Sequence, residues 1–144
     1  FRCLRVAFMK RILVDMSATL IHHGHIRLLA KASKYGQVVV ALTSDSEIFK
    51  KKGYKPEIPF EGRKEILESI KYVYEVISST WLIDEEFLEA NNIDLLVHGH
   101  DNTNPISEEK LIIFPRTDDI SSSQIRKEII SAAATHLESY NHSK

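Results

Sequence analysis

The chain has 144 residues, a length suited to one domain, and its 43% hydrophobic residues are enough to bury a core. Its 19 basic and 20 acidic side chains leave a net charge of −1, which argues against a dedicated nucleic-acid or membrane-surface binder. The single cysteine, Cys3, excludes an intramolecular disulfide framework and a cysteine-based zinc site, and no apolar run approaches the roughly 18 residues of a membrane span.

Residues 1–8, "FRCLRVAF", read as an N-terminal extension too short for a signal peptide, with the fold starting at Met9. "RILVDM" (11–16) is a short apolar run that predicts a buried strand. "HIRLLAKASKYG" (25–36) carries Ile26, Leu29 and Ala32 at helical spacing and stops at Gly36. "QVVVALTSD" (37–45) is a β-branched second strand. Residues 46–63, rich in lysine and punctuated by Gly53, Pro56 and Pro59, read as a mobile basic loop. A helix follows over "EGRKEILESIKY" (61–72), then a strand over "VYEVIS" (73–78). "DEEFLEANN" (84–92) is a helix with acidic residues in its first turn, where the dipole favours them. "IDLLVHGH" (93–100) and "LIIFP" (111–115) are strands four and five, and residues 121–140 form the closing helix, fraying into a polar tail over 137–144. The main domain therefore spans 9–136. Strands alternating with helices predict an α/β, Rossmann-like fold: a doubly wound, five-stranded parallel sheet with helices on both faces. Ligands of such sheets sit beyond the carboxyl ends of the strands, which are the segments holding most of the histidines, glycines and lysines.

Three imidazoles crowd the first strand-to-helix junction, "LIHHGH" (20–25). His22 and His25 are three apart and can face one side. Gly24 lets the backbone turn tightly and a ligand come close. A helix N-terminus attracts anions, and imidazoles there can donate to phosphate oxygens. Two bland readings stay open: ordinary surface histidines, or a metal site in which His98 and His100 converge with His22 and His25. The start of the last helix, "RTDDISSSQIRKE", offers Ser121 and Gln124 as a capping box, with Arg116 and Thr117 just upstream as further anion donors. "KKKGYKP" reads either as a solvated charge run or, with Arg63, as a basic lid over a polyphosphate. No P-loop, dinucleotide-binding glycine fingerprint or nucleophile elbow is present.

These pieces, in this order, resemble the cytidylyltransferase-like nucleotidyltransferases. "HHGH" (22–25) matches the family's H-x-G-H, residues 52–76 look like its lysine loop followed by its E-x-R helix, and "RTDDISSS" (116–123) matches R-T-x-x-I-S-[ST]-[ST]. The likeness runs from about residue 10 to about 130 and is greatest to the glycerol-3-phosphate cytidylyltransferase branch. It implies that His22, His25 and Arg116 are catalytic, steadying charge at the α-phosphorus and on the leaving pyrophosphate. It implies nucleotide contacts from Ser17, Ala18 and Gly24 in the first loop, from Gly99 and Asp101 after the fourth strand, and from Thr117, Ile120, Ser121 and Ser122. Lys52 and Lys55 would close over the phosphates, and Arg63 would bind phosphate at its helix start. Mg²⁺ would accompany the triphosphate, with no metal ligands assigned to the protein. The resemblance further implies CTP rather than ATP, a small phosphorylated alcohol or phosphonate as acceptor and a homodimer; the charge balance predicts no nucleic-acid or membrane partner, and the single cysteine fits a reducing, cytoplasmic location.

The chain departs from the family pattern in its first loop. Where G-x-F-D is usual, it has Met16, Ala18 and Thr19, so a Cβ replaces a glycine hydrogen and a carboxylate is lost. Tyr74 stands for a usual aspartate, and His100 is inserted in the "G-D-D" run. Two functional alternatives follow: adenylyl transfer from ATP, or a non-catalytic nucleotide-binding module with a degenerate first loop.

Overall fold

A computed structural model describes residues 9–99, 101–115, 117–118 and 120–136. The elements, in order, are β1 (Arg11–Met16), α1 (His23–Ser33), β2 (Gln37–Thr43), α2 (Asp45–Lys52), α3 (Phe60–Glu68), β3 (Val73–Ser79), α4 (Glu85–Ala90), β4 (Leu95–Gly99), a 3₁₀ turn (Glu108–Lys110), β5 (Leu111–Phe114) and α5 (Ser122–Thr135). The strands form one sheet in the order β3-β2-β1-β4-β5, and every pairing is parallel. The chain winds outward one way through β2 and β3, returns, and winds the other way through β4 and β5. The point of reversal lies between β1 and β4, so the fold is the doubly wound one expected.

The strand period of two divides the core. Ile12, Val14, Val38, Val40 and Leu42 point to the face covered by Leu29 and Ala32 of α1 and Leu67 of α3. Leu13, Val39, Ala41 and Leu96 point to the opposite face, against Ile83 and Leu88 of α4 and its approach. Both faces of β1 and β2 are therefore dry, as a parallel sheet requires. Gly36 is needed for a close approach: a Cβ there would lie 2.2 Å from the Lys10 carbonyl oxygen. That same carbonyl accepts from the Gln37 N–H at 2.8 Å and starts the β1–β2 ladder. Among the described residues no helix is long and apolar enough to cross a membrane.

One segment differs from expectation. Residues 45–52 are a helix, α2, rather than part of a basic loop. Ser44 caps it by accepting from the Glu47 N–H at 3.3 Å, Ile48 buries its apolar side fully, and Gly53 ends it in the left-handed conformation at φ 77°. The lysines Lys50, Lys51 and Lys52 fill its last turn, where the helix dipole favours cations. Helix ends elsewhere shift by a few residues. α1 begins at His23 with His22 as its cap, and α3 ends at Glu68.

Candidate active site at the switch point

A cavity of about 480 Å³ opens beyond the carboxyl ends of the strands. Of the expected site residues, Ser17, Ala18, His22, Gly24, His25, Lys52, Gly99, Asp101, Thr117, Ile120, Ser121 and Ser122 all line it. Arg116 and His100 lie outside the described residues, as do residues 1–8 and 137–144.

The two motif histidines cap α1 reciprocally. His22 Nδ1 accepts from the Gly24 N–H at 3.0 Å, and His25 Nδ1 accepts from the His22 N–H at 3.1 Å. Two free backbone donors at the helix start are thereby satisfied. The same bonds fix the tautomers. A ring nitrogen that accepts carries no hydrogen, so in each neutral imidazole the proton sits on Nε2. Both rings are held neutral. Burial, with a smaller effect from His22, pushes His25 down to about 3, and burial with His23 lowers His22. The rings lie 4.0 Å apart between centroids. The result is a pair of neutral Nε2–H donors held on the helix start. Gly24 serves this arrangement through space rather than through an unusual turn. A Cβ would sit 2.8 Å from His22 Cε1 and 2.9 Å from its Nδ1, displacing the ring.

The start of α5 lies next to the start of α1, with Ile120 Cγ2 3.3 Å from where a Gly24 Cβ would stand, and both line the cavity. Ser121 Oγ accepts from the Gln124 N–H at 3.0 Å, so the N-cap half of the expected capping box is made, while the Gln124 side chain turns to Glu128 Oε1 at 3.4 Å instead of closing the other half. Ser122 Oγ donates to the Leu20 carbonyl at 2.8 Å and lies 3.4 Å from the Leu20 N–H. Its hydroxyl proton thus ties the first loop to α5. Ala18, in the same loop, is buried in the left-handed region at φ 46°, a conformation that costs an alanine about 1 kcal/mol or more. Thr19 is buried and Met16 half-buried against the α1-side core, and both reach the cavity wall.

Arg63 corrects one expectation. It is fully buried, does not line the cavity, and binds protein rather than phosphate. Its Nε donates to the Ile58 carbonyl (3.0 Å), Nη1 to the carbonyls of Ser17 (2.6 Å) and Thr43 (3.1 Å), and Nη2 to Asp45 Oδ1 (2.5 Å). The guanidinium fork clamps the first loop to the end of β2 and the start of α2. Lys55 is exposed and stands off the cavity, whereas Lys52 reaches it, with Nζ 5.7 Å from the Trp81 ring centroid. The loop between α2 and α3 is latched to α5. Arg126 meets Glu57 at 2.6 Å and Tyr54 Oη at 3.3 Å.

Sequence reasoning missed a polar cluster on the α4 side. Asp15, at the end of β1, has Oδ2 3.4 Å from His98 Nε2 and 3.1 Å from Asn104 Nδ2. His98 Nδ1 lies 3.1 Å from the Gly99 carbonyl and 3.8 Å from Asp101 Oδ1. Burial lowers the His98 pKa, but the Asp15 hydrogen bond and charge, with Gly99 and Asp101, outweigh it, and the net shift is upward. Both ring nitrogens of His98 thus face protein oxygens, Nε2 toward Asp15 and Nδ1 toward Gly99. Among the described residues no group of three or more His, Cys, Asp or Glu is arranged to hold a metal ion. The available signal for the cluster was a charged residue, Asp15, inside the apolar run "RILVDM".

Residues 17–128 match the model of the cytidylyltransferase-like family. The glycerol-3-phosphate cytidylyltransferase of Bacillus subtilis (strain 168) is 35% identical over 126 residues, covering 84% of this chain and 98% of that protein. The ethanolamine-phosphate cytidylyltransferase of Arabidopsis thaliana is 35% identical over 107 residues, 70% of this chain and 25% of that protein. The FAD synthase of Thermococcus kodakarensis (strain ATCC BAA-918 / JCM 12380 / KOD1) is 34% identical over 104 residues, 69% of this chain and 70% of that protein. A lipopolysaccharide core biosynthesis protein from Thermoplasma volcanium GSS1 shares the fold, with a TM-score of 0.65 at 20% identity over 76% of this chain and 99% of that one. With the paired imidazoles, two helix starts on one cavity and a family match across most of its length, the chain belongs to the cytidylyltransferase-like nucleotidyltransferases.

Proposed function

We propose that the protein transfers a cytidylyl group from CTP to a small phosphorylated alcohol or phosphonate and releases pyrophosphate. An acceptor phosphate oxygen attacks the α-phosphorus in line. The new P–O bond forms as the bond to the α–β bridging oxygen breaks, and that oxygen leaves with its electron pair in pyrophosphate. No covalent enzyme intermediate is required, so catalysis rests on position and charge stabilisation. The observation that carries this reading is the locked pair of neutral Nε2–H donors, His22 and His25, on the start of α1. Donors fixed before the substrate arrives need no reorganisation as charge builds on the phosphoryl oxygens and the leaving group. The helix start of α5 and Lys52 supply further donors around the phosphates. Arg116 enters on the R-T-x-x-I-S signature alone. Mg²⁺ would be held by triphosphate oxygens, since the described side chains form no cage for it. It would neutralise phosphate charge.

The acceptor class is supported by the relatives named for glycerol 3-phosphate and ethanolamine phosphate, both phosphorylated alcohols. A relative named FAD synthase keeps adenylyl transfer as the second reading. A homodimer is supported by the exposed edge strand β3, where Tyr74 is 58% exposed, and a cytoplasmic setting by the nucleotide substrate. The test is calorimetric titration with CTP and with ATP, each with Mg²⁺, followed by a pyrophosphate-release assay. Binding of CTP but not ATP, with acceptor-dependent pyrophosphate release, is expected. Preference for ATP moves the reading to adenylyl transfer, and binding without release under a broad acceptor panel moves it to a non-catalytic module.

A further inference from the structure

Of the three lysines in the last turn of α2, only Lys52 lines the cavity, and little in its own helix fixes it there. α2 has eight residues and a single buried anchor, Ile48, and so short a helix is marginal on its own. Lys52 is its last residue. It is exposed, forms no ion pair among the described residues, and rests its Nζ over the Trp81 ring. Gly53 follows in the left-handed conformation, with nothing within 4 Å of where a Cβ would stand, so no neighbour restrains the chain at that point.

Beyond Gly53 the chain has no regular structure, and the hydrogen bonds of residues 54–57 among the described residues all go to one side chain, Arg126 of α5. Arg126 Nε lies 3.1 Å from both carboxylate oxygens of Glu57, and Nη2 donates to Oε2 at 2.6 Å. Nη1 donates to Tyr54 Oη at 3.3 Å, and the guanidinium carbon sits 4.7 Å from the Tyr54 ring centroid. A lone surface ion pair contributes little, but a guanidinium that forks onto a carboxylate and stacks on an aromatic face holds its partners in one geometry. The next fixed point is Ile58, whose carbonyl accepts from Arg63. Arg126 also stands one turn beyond Ser122, which ties α5 to the Leu20 loop. One helix thus fastens both the loop that leads to the histidines and the strap that follows Lys52. We propose that Arg126 is a positioning residue for the nucleoside triphosphate: by gripping Glu57 and Tyr54 it holds the 53–59 strap down and keeps the Lys52 ammonium over the cavity, where it meets phosphate. What Lys52 meets rests on the cytidylyl-transfer reading; how it is held does not.

Trp81 is the only tryptophan in the chain, so the strap can be followed without nucleotide. Acrylamide quenching of its fluorescence should rise in Arg126→Gln and equally in Glu57→Gln, with no further rise in the double variant, because both changes break one contact. Circular dichroism on each sample checks the fold, and the two single variants approach the latch from opposite sides. Calorimetric titration with CTP and with ATP, each with Mg²⁺, then gives Kd for the nucleotide that binds. Each single variant should raise that Kd by about tenfold, the order of one charge-assisted bond partly lost. Lys52→Ala should raise it as well, and adding Arg126→Gln to Lys52→Ala should change nothing more. Unchanged quenching in both single variants overturns the latch. Raised quenching with an unchanged Kd overturns its role in nucleotide binding, and a tenfold rise that persists in the Lys52→Ala background overturns action through Lys52. A wild type that binds neither nucleotide overturns the nucleotide role together with the parent reading, while the quenching result still decides the latch.

Discussion

His22 and His25 do two jobs with one set of bonds. Each Nδ1 closes a backbone donor at the start of α1, and under the proposed function the proton this forces onto Nε2 is the one offered to substrate. His25→Ala should therefore lower kcat by about 10²–10³, as loss of one preorganised donor does, with loss of the cap costing about 1 kcal/mol and the fold kept. Pyrophosphate release and circular dichroism on the same sample check both parts. The depressed pKa also sets a stability profile. His25 takes up a proton near 6.5 in the unfolded chain and near 3 in the folded one, so between these values the unfolded state binds more protons. Its contribution is full above about pH 6.5 and is lost as pH falls toward about 3. Urea unfolding at pH 7 and pH 5 should show a steeper loss for the wild type than for His25→Asn, which has nothing to titrate there; equal losses would contradict the assignment. At this scale the histidines were legible because three imidazoles beside a glycine are conspicuous. Arg63 misled, since an arginine at a helix start reads the same whether it meets phosphate or the protein's own carbonyls. Only its burial separates the two.

At the scale of elements, Arg63 shows how the first loop is kept in place. Four acceptors from three separate segments and the α2 start converge on one guanidinium. Arg63→Met leaves Asp45 without its cation and the carbonyls of Ser17 and Thr43 without their donor. It should cost several kcal/mol, about 1–3 for each buried carbonyl left without its donor, while the half-exposed Asp45 adds little, and Arg63→Lys should recover only part because an ammonium cannot span the fork. Denaturant melts of both variants, with CTP affinity measured where the fold survives, test the clamp. Helix α2 escaped the sequence reading because lysines, Gly53 and two prolines dominate the segment. The quieter signal was Ser44 three residues before Glu47, followed by a single apolar anchor, Ile48, and one anchor gives a short helix little periodicity to detect. β1, β2 and β4 posed no such difficulty, since a strand dry on both faces is a continuous apolar run.

For the whole molecule, alternating strand and helix patterns made the class of fold readable, while the order of strands in the sheet and the resulting neighbours of Asp15 were not. Asp15, His98 and Asn104 are brought together only by the β1–β4 pairing and the loop after β4. The same topology leaves β3 as an edge, and Tyr74→Lys on that edge should shift sedimentation from dimer to monomer if β3 carries the contact between copies. The bond between Ser122 and Leu20 has a consequence in time. It joins residues 102 apart, among the longest loops this chain closes, and nothing before α5 can substitute for it. During synthesis the β1 segment emerges early and can pair with β2 well before Ser122 exists. A partly made chain can thus hold much of a sheet while its first loop still lacks its far anchor, and the cavity wall is completed only when α5 arrives.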